Sequence, residues 1–257
     1  MKVEEAKKTF DYIMQEMGKV VVGQEEMIKQ VLSAILAGSH ALLEGYPGLA
    51  KTLTIRTLSQ LLNLKFSRIQ HTPDLMPSDI TGTYIIEETT SGKRTFKFQP
   101  GPVFANIVLA DEINRATPKT QSALLEAMQE HQVTVGNNTY ALDEPFFVLA
   151  TQNPIEQEGT YPLPEAQADR FLLKINVGYP TPEEEMEILN RYAGKLKNVK
   201  LKPVLTKDNI LYLQHMAKEI PIATDIKKYA LQIVTATRHK KDLIEFGASP
   251  RASIGLI

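Results

Sequence analysis

A glycine-containing segment near the start of the chain carries residue types suited to binding phosphate. It reads Gly45-Tyr46-Pro47-Gly48-Leu49-Ala50-Lys51-Thr52 and stands between a short apolar strand and a helix. Glycines let the backbone curl so that its N–H groups point at phosphate oxygens, and the following helix adds its positive N-terminus. Lys51 would reach the β- and γ-phosphates, and the Thr52 hydroxyl would hold Mg²⁺. The candidate nucleotide-binding residues here are Gly45, Pro47, Gly48, Leu49, Ala50, Lys51, Thr52 and Leu53.

One position of this loop departs from the usual phosphate-binding pattern. Ala50 stands where a glycine normally precedes the lysine. We expect Ala50 to donate its N–H from a backbone with negative φ, which alanine adopts without strain. The alternative interpretation is a plain glycine–proline turn before a core helix.

Two carboxylates follow an apolar strand farther along the chain, where Ile107-Val108-Leu109-Ala110 runs into Asp111-Glu112. Asp111 would hold Mg²⁺ through its water shell, and Glu112 would orient and polarise an attacking water. A nucleotide kinase would not need the second carboxylate, so Glu112 favours hydrolysis. The alternative is a strand that ends in solvated acids.

A third strand, Phe146 to Ala150, leads into Thr151-Gln152-Asn153-Pro154. An asparagine at a strand tip can hydrogen-bond both the γ-phosphate and the attacking water. The alternative for Asn153 is an ordinary turn asparagine before proline. The three segments together predict catalysis of nucleotide hydrolysis by Lys51, Glu112 and Asn153.

The composition of the chain is that of an ordinary folded domain. Of its 257 residues, 43% are hydrophobic and 23% charged, with a net charge of -1, which argues against disorder and against a polybasic surface for nucleic acid. Cysteine is absent, so a thiolate metal site or nucleophile is excluded. The apolar stretches are far below the roughly 20 residues that span a bilayer, and the N-terminus lacks a signal-like apolar region. We expect a cytoplasmic protein.

The elements that would position these residues alternate between apolar strands and amphipathic helices, which predicts a parallel sheet covered on both faces. Two hairpins interrupt the pattern, one around the turn Ser91-Gly92 and one around Gly136-Asn137-Asn138. The strand-like apolar segments end before Pro180, and Thr181 begins a helix with a capping box. We therefore predict a nucleotide-binding core at 1–179 and a helical lid at 180–257.

The order of these motifs resembles an AAA+ ATPase, and more closely the MoxR family. The resemblance covers residues from about Val22 to Arg251. It is carried by the strings GYPGLAKT, ANIVLADEINRA, FFVLATQNP, EGTYPLPEAQADRF and GASPRA. It implies a P-loop core with a five-stranded parallel sheet, a small helical lid, ATP rather than GTP as the nucleotide, and a ring that is usually a hexamer.

The resemblance also implies roles for single residues. Asn153 looks like the sensor I residue, and Arg170 is similar to the arginine finger that reaches a neighbour's γ-phosphate; the alternative for Arg170 is a salt bridge at a strand entry. Arg251 resembles sensor II; the alternative is a surface arginine at a helix cap. Val22 and Gly23, with the following glutamine, resemble the segment that packs on adenine, against a plain helix-start turn. The hairpins resemble inserts that contact client proteins, against surface hairpins with no such role.

The function that the resemblance implies is the conversion of ATP hydrolysis into a change of ring shape that remodels or activates a partner protein. Partners with a von Willebrand factor A domain are implied, together with client complexes. Two alternatives stay open. One is a magnesium-chelatase-like or nucleic-acid-motor subunit, which the near-zero net charge disfavours. The other is a nucleotide-gated scaffold that hydrolyses little. Family members continue beyond the equivalent of Ile257, so we expect the lid to be incomplete here.

Overall fold

A computed structural model describes residues 3–88, 94–154, 159–193, 199–240 and 242–257. The turn Ser91-Gly92, predicted for the first hairpin, lies outside these ranges. The strands are β1 (His40–Gly45), β2 (Phe66–Gln70), β3 (Gly82–Glu88), β4 (Arg94–Pro100), β5 (Ile107–Asp111), β6 (Gln132–Val135), β7 (Asn138–Ala141), β8 (Phe147–Gln152) and β9 (Phe171–Val177).

The helices flank these strands. They are α1 (Val3–Gly18), α2 (Glu25–Leu36), α3 (Lys51–Leu61), α4 (Pro77–Thr81), α5 (Pro118–Glu130), α6 (Glu165–Ala168), α7 (Pro182–Ala193), α8 (Lys207–Lys218), α9 (Thr224–His239) and α10 (Pro250–Gly255). None of the helices in the described ranges is long and apolar enough to cross a membrane.

Five strands form one sheet in the order β2-β5-β8-β1-β9, and every pair in it is parallel. The order places β5 and β8, which carry the predicted acidic pair and the predicted sensor asparagine, side by side between β2 and β1. The carboxyl ends of parallel strands lie at one edge of a sheet, where open α/β folds bind ligands. The predicted α/β fold with a five-stranded parallel sheet is confirmed.

The three central strands β1, β5 and β8 are buried on both faces, as their continuous apolar runs predict. Successive residues of β5 point to opposite sides: Leu109 joins a cluster with α1, α2 and α3, whereas Val108 and Ala110 join a cluster with α4 and α5. All three are fully buried. This two-sided packing leaves the carboxyl ends of the strands as the place where polar side chains can gather.

The two predicted hairpins are present as antiparallel pairs, β3 with β4 and β6 with β7. Aromatic side chains join them. The rings of Phe98 and Tyr140 stack with centroids 4.1 Å apart, and the hydroxyls of Tyr84 and Tyr140 lie 2.7 Å apart. Farther out on the first hairpin, Ile86 and Phe96 face each other across the strands and are exposed.

The C-terminal helices begin where the capping box at Thr181 predicts. The backbone N–H of Thr181 donates to the Glu184 carboxylate at 2.8 Å, and the Glu184 N–H donates to the Thr181 hydroxyl at 3.2 Å. Ile210 and Leu213 of α8 join the core cluster of α1, α2 and α3. The division at residue 180 into core and lid stays a prediction.

Candidate nucleotide-binding site

A cleft of about 350 Å³ opens at the carboxyl ends of β1, β5 and β8. It brings together most of the residues that the sequence singles out for phosphate and metal chemistry. It is lined by Pro47, Gly48, Leu49, Ala50, Lys51, Thr52, Leu53, Arg68, Asp111, Glu112, Thr151 and Asn153. Asn153 is buried at the tip of β8, whereas Lys51 and Thr52 are half-buried at the start of α3. One cleft therefore contains the predicted phosphate loop, both carboxylates and the predicted sensor.

The phosphate loop reaches its shape through two left-handed residues. Gly48 has φ of 83°, and Ala50, the residue before α3, has φ of 54°. The expectation of a negative φ at Ala50 is wrong, because the loop turns into the helix through the left-handed region that the usual glycine serves. Alanine pays about 1–2 kcal/mol for this conformation. Gly45 ends β1 so close to β9 that an added Cβ would lie 2.6 Å from the Val177 carbonyl oxygen.

Lys51 points back over the loop that it follows. Its Nζ donates to the carbonyl oxygen of Gly45 at 2.6 Å. Burial lowers the pKa of the Lys51 ammonium group, while Asp111 and Glu112 act in the opposite direction. The ammonium group is therefore held at the Gly45 carbonyl oxygen and interacts electrostatically with both carboxylates.

Asp111 is already engaged on both oxygens. Its Oδ2 accepts hydrogen bonds from Arg68 Nε at 3.0 Å and Nη2 at 2.6 Å. Its Oδ1 accepts from the Thr151 hydroxyl at 2.6 Å. A neighbouring strand on each side, β2 with Arg68 and β8 with Thr151, thus orients this carboxylate.

Glu112 follows Asp111 in a left-handed backbone conformation, with φ of 56°. Its N–H donates to the Thr151 hydroxyl at 2.8 Å. Its Oε2 accepts from Gln70 Nε2 at 2.9 Å and from Arg115 Nη1 at 3.2 Å. Non-glycine residues in this region cluster at functional sites, because the surrounding bonds offset the strain. Here the turn directs a second carboxylate into the cleft beside the first.

His71 binds the backbone at the end of β5. It is fully buried, its backbone N–H donates to the Asp111 carbonyl oxygen at 2.9 Å, and its Nδ1 donates to the same oxygen at 3.0 Å. Burial lowers the pKa of His71. His71 therefore binds the Asp111 carbonyl oxygen twice, once through its backbone N–H and once through its neutral ring.

The predicted adenine segment lies beside the cleft and does not line it. Val22 and Gly23 are half-buried, and Gln24 Nε2 donates to the Gly178 carbonyl oxygen at 3.2 Å. Next to this bond, the rings of Tyr46 and Tyr179 stack with centroids 5.0 Å apart. The segment thus contacts the junction between β9 and α7, and its predicted contact with adenine stays a proposal.

The two predicted arginines lie outside the cleft. Arg170 is half-buried, and its Nε and Nη2 donate to Gln129 Oε1 at 3.2 and 3.0 Å. Arg251 Nη1 lies 3.6 Å from Asp169 Oδ2, and Asp169 also accepts the Ser249 hydroxyl. Within one chain the structure brings neither arginine to the phosphate loop.

The cleft fits a magnesium ion that arrives with a nucleotide. Mg²⁺ keeps several waters and needs only one or two protein oxygens besides phosphate. Thr52 supplies a hydroxyl and Asp111 a carboxylate, both on the cleft wall. Across the residues described, no group of three or more His, Asp or Glu side chains could hold a metal alone. The donor set therefore suits a cation shared with phosphate.

Sequence reasoning missed four residues that shape this site: Arg68, Gln70, His71 and Thr151. The first two occupy alternate positions of β2 and are exposed, so they share one face of the strand. The sequence signal for them is a pair of polar residues at alternate positions of a strand. This signal points to the site only once the strand register, which pairs Gln70 with Asp111, is known.

Comparison with known proteins agrees with this geometry. A sequence model of the "ATPase family associated with various cellular activities (AAA)" matches residues 40–173. The protein "Chaperone MoxR1" of Mycobacterium tuberculosis is 47% identical over 97% of this chain and 67% of its own length. The Bacillus subtilis protein YeaC is 47% identical over 95% of this chain and 75% of its own.

A solved structure extends the likeness to three dimensions. The crystal structure of a "putative ATPase" from Cytophaga hutchinsonii superposes with a TM-score of 0.87 at 47% identity, covering 96% of this chain and 77% of that one. The phosphate loop, the acidic pair and the parallel sheet agree with the relatives in indicating one family. The chain belongs to the AAA family of ATPases and, within that family, to the MoxR group.

Proposed function

We propose that this chain binds Mg-ATP and hydrolyses it to ADP and phosphate. The observation that carries the proposal is one cleft in which the phosphate loop faces Asp111, Glu112 and Asn153 at adjoining strand ends. Phosphoryl transfer needs little covalent help from a protein and depends on positioning and charge stabilisation. The cleft offers both, with a cation and backbone N–H groups on one side and two carboxylates on the other.

Each side chain has a defined task in this proposal. Lys51 leaves the Gly45 carbonyl and pairs with the β- and γ-phosphates. Thr52 and Asp111 hold Mg²⁺, which neutralises phosphate charge when it is bound. Glu112 accepts a hydrogen bond from the attacking water, which forms a bond to the γ-phosphorus while the bond to the bridging oxygen breaks. Asn153 hydrogen-bonds the γ-phosphate and keeps the water in line.

Arg170 is proposed to act on a neighbouring copy of the chain. It lies in a separate surface depression with Gln129, so its guanidinium is available to a site that another copy presents. A cation placed at the γ-phosphate stabilises charge in the transition state and makes hydrolysis depend on assembly. A ring, with six copies as the family precedent, would give every cleft such an arginine.

The output of the cycle is proposed to be the remodelling or activation of a partner protein. The name of the M. tuberculosis relative, a chaperone, supports this class of output. Partners with a von Willebrand factor A domain are proposed from the resemblance to the MoxR family. The exposed Ile86 and Phe96 on the first hairpin suit contact with such a protein.

The alternative outputs differ in what they require. A nucleic-acid motor would bind its substrate through basic surface, which a net charge of -1 does not favour. A magnesium-chelatase-like subunit would use the same cleft with a different partner. A nucleotide-gated scaffold would need neither Glu112 beside Asp111 nor an arginine finger, so the acidic pair supports the hydrolase.

The test compares ATP turnover and ATP binding in the wild-type chain and in Glu112→Gln. The variant keeps a similar side-chain volume but cannot polarise water, so we expect intact binding and a loss of turnover of about 10²-fold or more. The control is Glu219→Gln at the exposed end of α8, a helix that packs where β1 begins rather than where it ends, and turnover should be unchanged. Unchanged turnover in Glu112→Gln would rule out the proposed role of Glu112 in polarising water, and the absence of ATP binding in the wild type would refute the function itself.

A further inference from the structure

Arg68 holds the carboxylate that is proposed to hold magnesium. Its guanidinium makes two bonds to a single oxygen, Oδ2 of Asp111. Asp111 is the better buried partner, with 14% of its side chain exposed against 45% for Arg68. The arginine therefore supplies a positive charge to this acid at the point where a bound cation would supply one.

The arrangement is set by the strands and by a second polar residue. β2 and β5 pair in parallel with Gln70 opposite Asp111, so Arg68 lies one step back on the same face and extends toward the cleft. The amide oxygen of Gln70 also accepts a hydrogen bond from Arg68 Nη2. The guanidinium is thus held at the cleft wall, which it helps to line.

While Arg68 is bound, the carboxylate of Asp111 has little capacity to accept further hydrogen bonds or a cation. Its Oδ1 accepts the Thr151 hydroxyl, and Thr151 in turn accepts the backbone N–H of Glu112, so this oxygen is tied to the frame of the site. The other oxygen, Oδ2, is the one that the arginine neutralises. A cation that uses Asp111 has to compete with the guanidinium for this oxygen.

We propose that Arg68 is a positioning residue that occupies the carboxylate of Asp111 in the nucleotide-free site and yields it to the magnesium ion that enters with ATP. The proposal rests on the function proposed above, because it concerns the same cleft. It assigns to Arg68 two opposing effects. The arginine weakens magnesium binding by competition, and it assists phosphate binding without metal by cancelling the charge of Asp111.

The test is equilibrium binding of a fluorescent, non-hydrolysable ATP analogue to the full chain, without metal and during a Mg²⁺ titration. Arg68→Met keeps a linear apolar stem and removes the charge. We expect the half-saturating Mg²⁺ concentration to fall about fivefold, and the metal-free dissociation constant to rise by a similar factor, as expected for a partly exposed charge pair. A merely structural role would weaken both kinds of binding together.

Two further variants keep the result interpretable. Arg68→Lys retains the charge without the two-bond geometry, so its magnesium requirement is expected to lie between those of the wild type and Arg68→Met. Lys207→Met removes a cation that pairs with Asp143 ahead of β8, at the opposite end of that strand from Asn153, and should bind like the wild type. Thermal melting of each variant without ligand reports whether the fold is retained.

The outcomes distinguish a failure of this proposal from a failure of the proposed ATP hydrolysis. A magnesium requirement that is unchanged or higher in Arg68→Met, with analogue binding retained, would overturn the role of Arg68 and leave ATP hydrolysis standing. A wild-type chain that binds no analogue at any magnesium concentration would overturn both proposals. An opposite shift of the two binding constants supports the competition.

Discussion

Single residues in this cleft depart from ordinary backbone preference where phosphate chemistry is proposed. Ala50 and Glu112 both line the cleft, and both adopt left-handed conformations. Such strain persists only where neighbouring bonds over-determine it, as the Thr151 hydroxyl does for the Glu112 N–H. The identity of Lys51, Thr52, Asp111 and Glu112 is readable from the motif, whereas the sign of φ at Ala50 is not.

The strain at Ala50 leads to a stability prediction. Ala50→Gly should stabilise the chain by roughly 0.5–1 kcal/mol, because the relief of a left-handed alanine exceeds the entropy that glycine adds to the unfolded state. Ala123→Gly, inside α5, should destabilise it by about 1 kcal/mol. Urea unfolding of both variants measures the difference. An equal loss of stability in the two would show that Ala50 carries no strain.

At the scale of elements, the apolar strands and their helices could be predicted because each has a local period. β5 begins at Ile107, where its predicted apolar run begins, and the capping box fixes the start of α7. The order of strands could not be predicted from local pattern, since it depends on crossovers between distant segments. For that reason Arg68 and Gln70, which reach the site only because β2 lies next to β5, were invisible in the sequence.

One buried histidine links β1, β8 and α5. His40 accepts the N–H of Val148 on Nδ1 at 3.1 Å and donates from Nε2 to the Met128 carbonyl oxygen at 3.1 Å. Desolvation lowers the pKa of His40 to about 4. Both ring nitrogens are satisfied in the neutral form, so this histidine belongs to the core rather than to a site.

His40 predicts a loss of stability in acid. Its pKa in the folded chain lies below the unfolded value of about 6.5. Between these two values the unfolded chain binds a proton that the folded chain does not, so the free energy of unfolding falls as the pH falls. The free energy of unfolding should fall by about 3 kcal/mol as pH drops from 6.5 to 4 on this account. His71, whose pKa is also lowered by burial, acts in the same direction.

Urea unfolding across this pH range checks the prediction. His40→Gln should flatten the pH dependence, whatever its effect on stability at neutral pH, while the exposed His215→Gln should retain it. A slope that is the same in His40→Gln and in the wild type would assign the acid sensitivity to other groups.

For the whole molecule, the proposed catalytic set is divided between two surfaces. Lys51, Glu112 and Asn153 face one cleft, and Arg170 lies in a different depression beside Gln129. If Arg170 acts on the γ-phosphate as proposed, it reaches a cleft only when copies of the chain meet. We therefore propose that a neighbouring chain completes the site.

The decisive experiment follows ATP turnover per chain as a function of protein concentration in the wild type, in Arg170→Ala and in the control Lys207→Ala, whose lysine pairs with Asp143 before β8 begins. We predict that turnover per chain rises with concentration in the wild type and the control. Arg170→Ala should bind ATP but stay at least about 10³-fold below the plateau. A measurable wild-type rate that stays flat over all concentrations would contradict it, because the site would then work within one chain.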